Sequence, residues 1–101
     1  MTTAYNKSGG SPAMTGTAAA TGEDFILSTG SSRTFFTIPG VSSGENLILQ
    51  IKQADGTDYI NVGDLCTVGN QVGVVTARGA GDSTFRVNKS ATDVSVAVFF
   101  D

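Results

Sequence analysis

Histidine and tryptophan are absent from this 101-residue sequence, and cysteine occurs once, at Cys66. Without histidine the usual general base near neutral pH is missing, and so is the commonest transition-metal ligand. A single cysteine excludes an intrachain disulfide, a CxxC redox pair and a Cys-rich zinc site. Charge is scarce as well: 15% of the residues are charged, against roughly 25% in an average soluble domain. Six Lys and Arg against nine Asp and Glu leave a net charge of −3. That balance offers no basic stripe for tracking a nucleic-acid backbone. The longest purely apolar run, Val96-Ala97-Val98-Phe99-Phe100, is too short to span a bilayer as a helix. The N-terminus shows neither the charged segment and apolar core of a signal peptide nor a Met-Gly start for myristoylation. Cys66 sits between Leu65 and Thr67 and reads as a buried small hydrophobe rather than a reactive thiol.

Small and hydroxylated residues are abundant instead, with 13 Gly, 13 Thr and 10 Ser. The composition shifts once, near residue 22. Residues 1–22 contain no Val, Ile, Leu or Phe, and Tyr5 is their only aromatic. Such a segment buries too little apolar surface to offset its ordering entropy, so alone it is expected to be disordered. It therefore reads as an extended N-terminal arm, lying on a partner protein or folded back on its own domain. The partner reading is the one favoured here, with Thr2, Thr3, Ala4 and Tyr5 as contact residues.

From Glu23 onward the pattern has period two. Strands are predicted over 24–27, 33–38, 46–52, 59–62, 65–68, 71–76, 84–88 and 94–100. Asp55-Gly56 and Gly69-Asn70 are two-residue hairpin turns between them. No window carries apolar residues at helical spacing. The fold class is thus all-β: a small eight-stranded β-sandwich over 23–101, jelly-roll-like, with an immunoglobulin-like sandwich as the second choice. The alternation places Leu47, Leu49, Ile51, Val72, Val74, Phe85, Val87, Val94, Val96 and Val98 in the core.

A core of this size is marginal alone, and self-association is a standard remedy. Phe35-Phe36 and Phe99-Phe100 add to this, because adjacent strand residues point to opposite faces. One Phe of each pair enters the core and the other faces out. Phe36 and Phe99 are the candidates for an apolar contact surface, and a homo-oligomer, most simply a trimer, is expected.

Catalytic chemistry is thin, and no enzyme activity is expected. The carboxylates lie at predicted turns and strand edges, where Asp serves local hydrogen bonds. No aspartic-protease triplet, Gly-x-Ser-x-Gly elbow, P-loop or GxGxxG occurs. Asp55 and Asp58 could share a cation, but calcium needs six to eight oxygens and a turn is the better reading. Gly79 and Gly81 read as a loop tip, and the sequons at Asn6 and Asn88 as chance matches. No cofactor, metal, nucleic acid or membrane is implied. Tyr5 and Tyr59 are the only tyrosines, a poor platform for a carbohydrate-binding sandwich.

The Ala/Gly/Thr-rich arm from Thr2 to Gly22, the hairpin-dense body and the absence of catalytic residue types together resemble the head decoration or cement proteins of tailed-phage virions. The resemblance is one of overall profile. It implies a non-enzymatic virion protein, made in the host cytoplasm and placed on the capsid surface. There it would bind the major capsid protein through its arm and stabilise the shell. A tail, fibre or host-attachment module is the alternative of the same kind.

Overall fold

A computed structural model describes residues 13–53, 56–78 and 81–100. Thr2, Thr3, Ala4 and Tyr5, the Asn6 sequon, Asp55, Gly79 and Ala80 lie outside the described residues. The fold is all-β, and the described residues form eight strands in two antiparallel sheets: β1 (Ala20–Thr21), β2 (Phe25–Leu27), β3 (Ser32–Ile38), β4 (Leu47–Lys52), β5 (Tyr59–Cys66), β6 (Val72–Thr76), β7 (Ser83–Lys89) and β8 (Ala97–Phe100). One sheet runs β1-β7-β4-β5, with β2 also on β7, and the other runs β6-β3-β8. None of the described residues is helical.

The number eight arises differently from the sequence pattern. The stretches at 59–62 and 65–68 are one strand, β5. Two bulges against β4, between Leu47 and Ile48 and between Leu49 and Gln50, carry it past Gly63-Asp64 without a turn. The missing strand is supplied by β1, inside the segment read as an arm. The hairpin after β5 also moves by one residue. Thr67 and Asn70 exchange backbone bonds of 3.2 and 2.9 Å, so Val68 and Gly69 are its central residues, with Gly69 at φ +77°.

Between the sheets, Leu47, Leu49, Phe85, Val87, Val96 and Val98 are buried, with Ile51 packed at their margin. The alternation thus places most of the core correctly. It misplaces three valines. Val72 and Val74 are 51% and 58% exposed, and Val94 is also exposed, in a bend ahead of β8. On β6 the inward residues are Gly73 and Val75, continued by buried Ala77. The cause is a close approach between the sheets. A Cβ on Gly73 would stand 2.4 Å from the Leu65 carbonyl oxygen. Only the face bearing glycine can turn toward β5, so Val72 and Val74 must face out.

Residues 13–22 lie on their own body. Met14 is buried in the core. Ala13 N–H donates to Val98 O at 2.8 Å, Val98 N–H to Met14 O at 2.8 Å, Val96 N–H to Gly16 O at 3.1 Å and Thr92 N–H to Thr17 O at 2.9 Å. The segment then crosses to the other sheet, where β1 pairs with β7 and Gly22 N–H donates to Val87 O at 2.8 Å. It forms a strap along one open side of the sandwich. Lys89 secures it. This residue continues the inward face of β7 after Phe85 and Val87 and is only 2% exposed. Its ammonium donates to Ala18 O at 3.0 Å, Ser90 O at 3.1 Å and Thr92 Oγ1 at 3.3 Å. Three donors meet three acceptors, which is what a buried ammonium requires.

Chemical denaturation tests the strap and the close approach at Gly73. Removing residues 1–22 uncovers the Met14 site and the Lys89 acceptors, and should cost at least about 3 kcal/mol. A Gly73→Ala chain should lose about 1–3 kcal/mol from the clash with Leu65. A Gly63→Ala chain, where a Cβ meets nothing within 4 Å, should stay within about 0.5 kcal/mol of the parent.

Candidate functional site

The two sheets present outer faces that differ in how much of each is apolar. On the five-stranded sheet the outward face carries a polar network, with Ile26 and Ile48 as apolar members beside it. Gln50 Nε2 donates to Asn61 Oδ1 at 2.8 Å, while Gln50 Oε1 accepts from Arg86 Nε at 2.7 Å and from Asn88 Nδ2 at 2.9 Å. The Arg86 guanidinium lies 3.6 Å from the Tyr59 ring centroid. Tyr59 Oη donates to Asp24 at 2.6 Å, and Lys52 Nζ stands 3.8 Å from the same carboxylate. The hydrogen bond to Asp24 raises the Tyr59 pKa above its ordinary value. A sugar-binding aromatic needs a free ring face, and Arg86 already covers one face of Tyr59.

The outer face of the three-stranded sheet has no such network. Alternation on β3, β6 and β8 turns Phe36, Ile38, Val72, Val74, Ala97 and Phe99 outward. Phe36 stands opposite both Val72 and Phe99, and Ile38 opposite Ala97. The Phe36 and Phe99 rings lie 6.0 Å apart, so each half-shields the other, while Ile38 is 53% exposed. The two sequence candidates for contact, Phe36 and Phe99, are thus brought together as a cross-strand pair. Ile38, Val72 and Val74 belong to the same face and were missed. The run from Val72 to Val75 is apolar on both sides, so period two could not assign it. Gly73 was the available signal, since a glycine in a strand marks a close approach on its own face.

Other features have structural accounts. A cavity of about 230 Å³ opens between the sheets beside Met14, Phe25, Phe35 and Phe100. The Arg33 guanidinium lies over it, 4.8 Å from the Phe25 ring centroid and 4.4 Å from that of Phe100. Burial lowers the Arg33 pKa. The space is below the size of a typical small-molecule site, and the stacked guanidinium reads as a cap on the core. Glu45 accepts the backbone N–H groups of Ser42 and Asp93, each at 2.8 Å. These bonds, more than the nearby Lys89, hold its pKa below the ordinary 4.5. Among the described residues no three His, Cys, Asp or Glu side chains are grouped to hold a metal ion.

Comparison with known proteins returns no matching family model, curated protein or solved structure.

Cys66 is fully buried beneath Gln71, whose carbonyl accepts its Sγ–H at 3.4 Å. Desolvation pushes its pKa up to about 11, so the thiolate is scarce near neutral pH. Iodoacetamide at pH 8 should therefore leave native Cys66 unmodified and label it rapidly in denaturant. Equal rates in both states, followed by mass spectrometry, would contradict this placement.

Proposed function

We propose that this chain is a non-enzymatic virion protein that decorates and stabilises a phage capsid from its outer surface. It would bind the lattice of the major capsid protein. The observation that carries the reading is the contrast between the two outer faces. The polar network pairs Gln50 with Asn61, Arg86 and the Asn88 amide nitrogen, and so has few groups left for a partner, Asn88 Oδ1 being buried and unpaired. The apolar face of β6-β3-β8 leaves five large hydrophobic side chains against solvent in a small domain, an arrangement that marks a contact surface for another protein. Ala13, where residues 1–12 join the body, is bonded to Val98 of β8. Residues 1–12 would add backbone contacts to the lattice where the apolar face supplies buried area. Each copy alone would hold modestly, and repetition over many lattice sites would make the attachment durable. Stabilisation is then mechanical, by bridging neighbouring capsid subunits.

The test is decoration of purified capsids lacking the protein, read by co-sedimentation and by thermal stability of the particles. Phe36→Ser and Phe99→Ser should each lower occupancy at least about tenfold, while destabilising the isolated domain by only about 1 kcal/mol. Loss of residues 1–12 should lower occupancy further. Unchanged decoration by all three chains would overturn the reading.

A further inference from the structure

The open edges of the two sheets are treated differently. On β5 the free edge is distorted by two bulges against β4. On β7 the flanking strand is interrupted between β1 and β2 at Gly22–Asp24, where two carboxylates stand. On β8 the outer side is covered by the strap, through the Met14–Val98 bridge and the Gly16 bond. These are familiar ways of blunting an edge against other chains. The remaining edge is β6. Among the described residues it pairs only with β3, and Val72-Gly73-Val74-Val75-Thr76 contains neither charge nor proline.

The hydrogen-bond phase of β6 can be read from one bond. Thr37 N–H donates to Gln71 O at 3.0 Å, one step beyond the Phe36–Val72 pair. In an antiparallel ladder bonded and non-bonded pairs alternate. Phe35–Gly73 and Arg33–Val75 are therefore bonded pairs. The N–H and C=O groups of Val72, Val74 and Thr76 point away from β3, toward the open edge.

We propose that β6 is a dimerisation edge, and that its occupant is the β6 strand of a second copy, antiparallel about a two-fold axis at Val74. The phase fits a self-pair: Val74 would exchange both bonds with the partner's Val74, and Val72 with the partner's Thr76. About six backbone hydrogen bonds would close the edge. On the outer face Val74 meets the partner's Val74, a favourable β-branched cross-strand pair. The nearest charge, Arg78, falls opposite the partner's Asn70, so no like charges meet. The two three-stranded sheets become one six-stranded sheet with both sets of Phe36, Ile38, Val72, Val74 and Phe99 on the same side. A single strand pair is a small interface, so association is expected at the weak end of specific complexes. The inference is independent of the capsid reading, since it concerns the free protein.

The experiment is sedimentation equilibrium of the full chain from about 1 µM to about 1 mM, with amide hydrogen exchange at the upper concentration. The parent chain should move toward twice its 10.3 kDa mass, with concentration-dependent protection at Val72, Val74 and Thr76. Val74→Pro deletes the central edge N–H, which β3 does not use, and should remain monomeric throughout. Val74→Lys serves as the second variant. The side chain is 58% exposed, so folding should persist, and two ammonium groups at the axis should abolish the dimer. Phe99→Ser, away from the edge, should dimerise like the parent. A monomeric parent at 1 mM, a trimer, or a dimer that survives both Val74 substitutions would overturn the proposal. A dimer without any capsid binding would leave it standing while removing the function proposed above.

Discussion

Lys89 places an ammonium group where only protein can solvate it, and the seam between the sheets is organised around that requirement. An unpaired buried charge would be far too costly to keep. The chain answers with the Ala18 carbonyl from the strap, the Ser90 carbonyl from its own strand end and the Thr92 hydroxyl from the loop before β8. The acceptors come from two segments, the strap and the loop after β7, so the ammonium joins them. Thr92 extends the join, since its hydroxyl donates to Val94 O at 2.7 Å and its N–H to Thr17 O. A hydrophobic side chain at position 89 could fill the space but could not hold three oxygens in register. The strap in turn brings Met14 into the core, in a domain with little other apolar volume to spare.

The opposite side of the sandwich is closed by geometry alone. There the chain passes from β5 to β6 through the Thr67–Asn70 turn, and the sheets approach so closely that Gly73 rests on the Leu65 carbonyl. The two margins thus use different physics, one a charged hydrogen-bond hub and the other steric contact at a glycine. The second has a further effect. By committing its small face inward, β6 turns its valines out and completes the apolar surface around Phe36 and Phe99.

Much of this was legible in the sequence, and the failures are specific. Alternation in β4 and β7 identified Leu47, Leu49, Phe85 and Val87 correctly because the other face is mostly polar, with Gln50, Lys52, Thr84, Arg86 and Asn88 against a single Ile48. The same rule failed on β6, where Val72 and Val74 compete with Val75 for the interior and only the Gly73 contact, a tertiary fact, decides. Lys89 lies in phase with Phe85 and Val87, so its inward direction could be read directly. Its charge argued the other way, since a lysine is almost never fully buried unless its ammonium finds partners. The strap was the least legible part. Residues 13–22 contain one large apolar side chain, and composition cannot register a segment held by backbone bonds and by a lysine more than 60 positions away. Of the outer face, the aromatic pair was visible from its doublets. Its neighbours depended on the inverted phase of β6.

The strap also brings the two ends of the described body together. Its first residue, Ala13, is bonded to Val98, two positions before the last described residue, Phe100. Topologically the domain is a ring of strands cut at one place, and the cut lies at a single pole of the sandwich. A few linking residues would close that ring, and it could be reopened at another surface turn such as the one between Gln53 and Asp58, the usual condition for circular permutation.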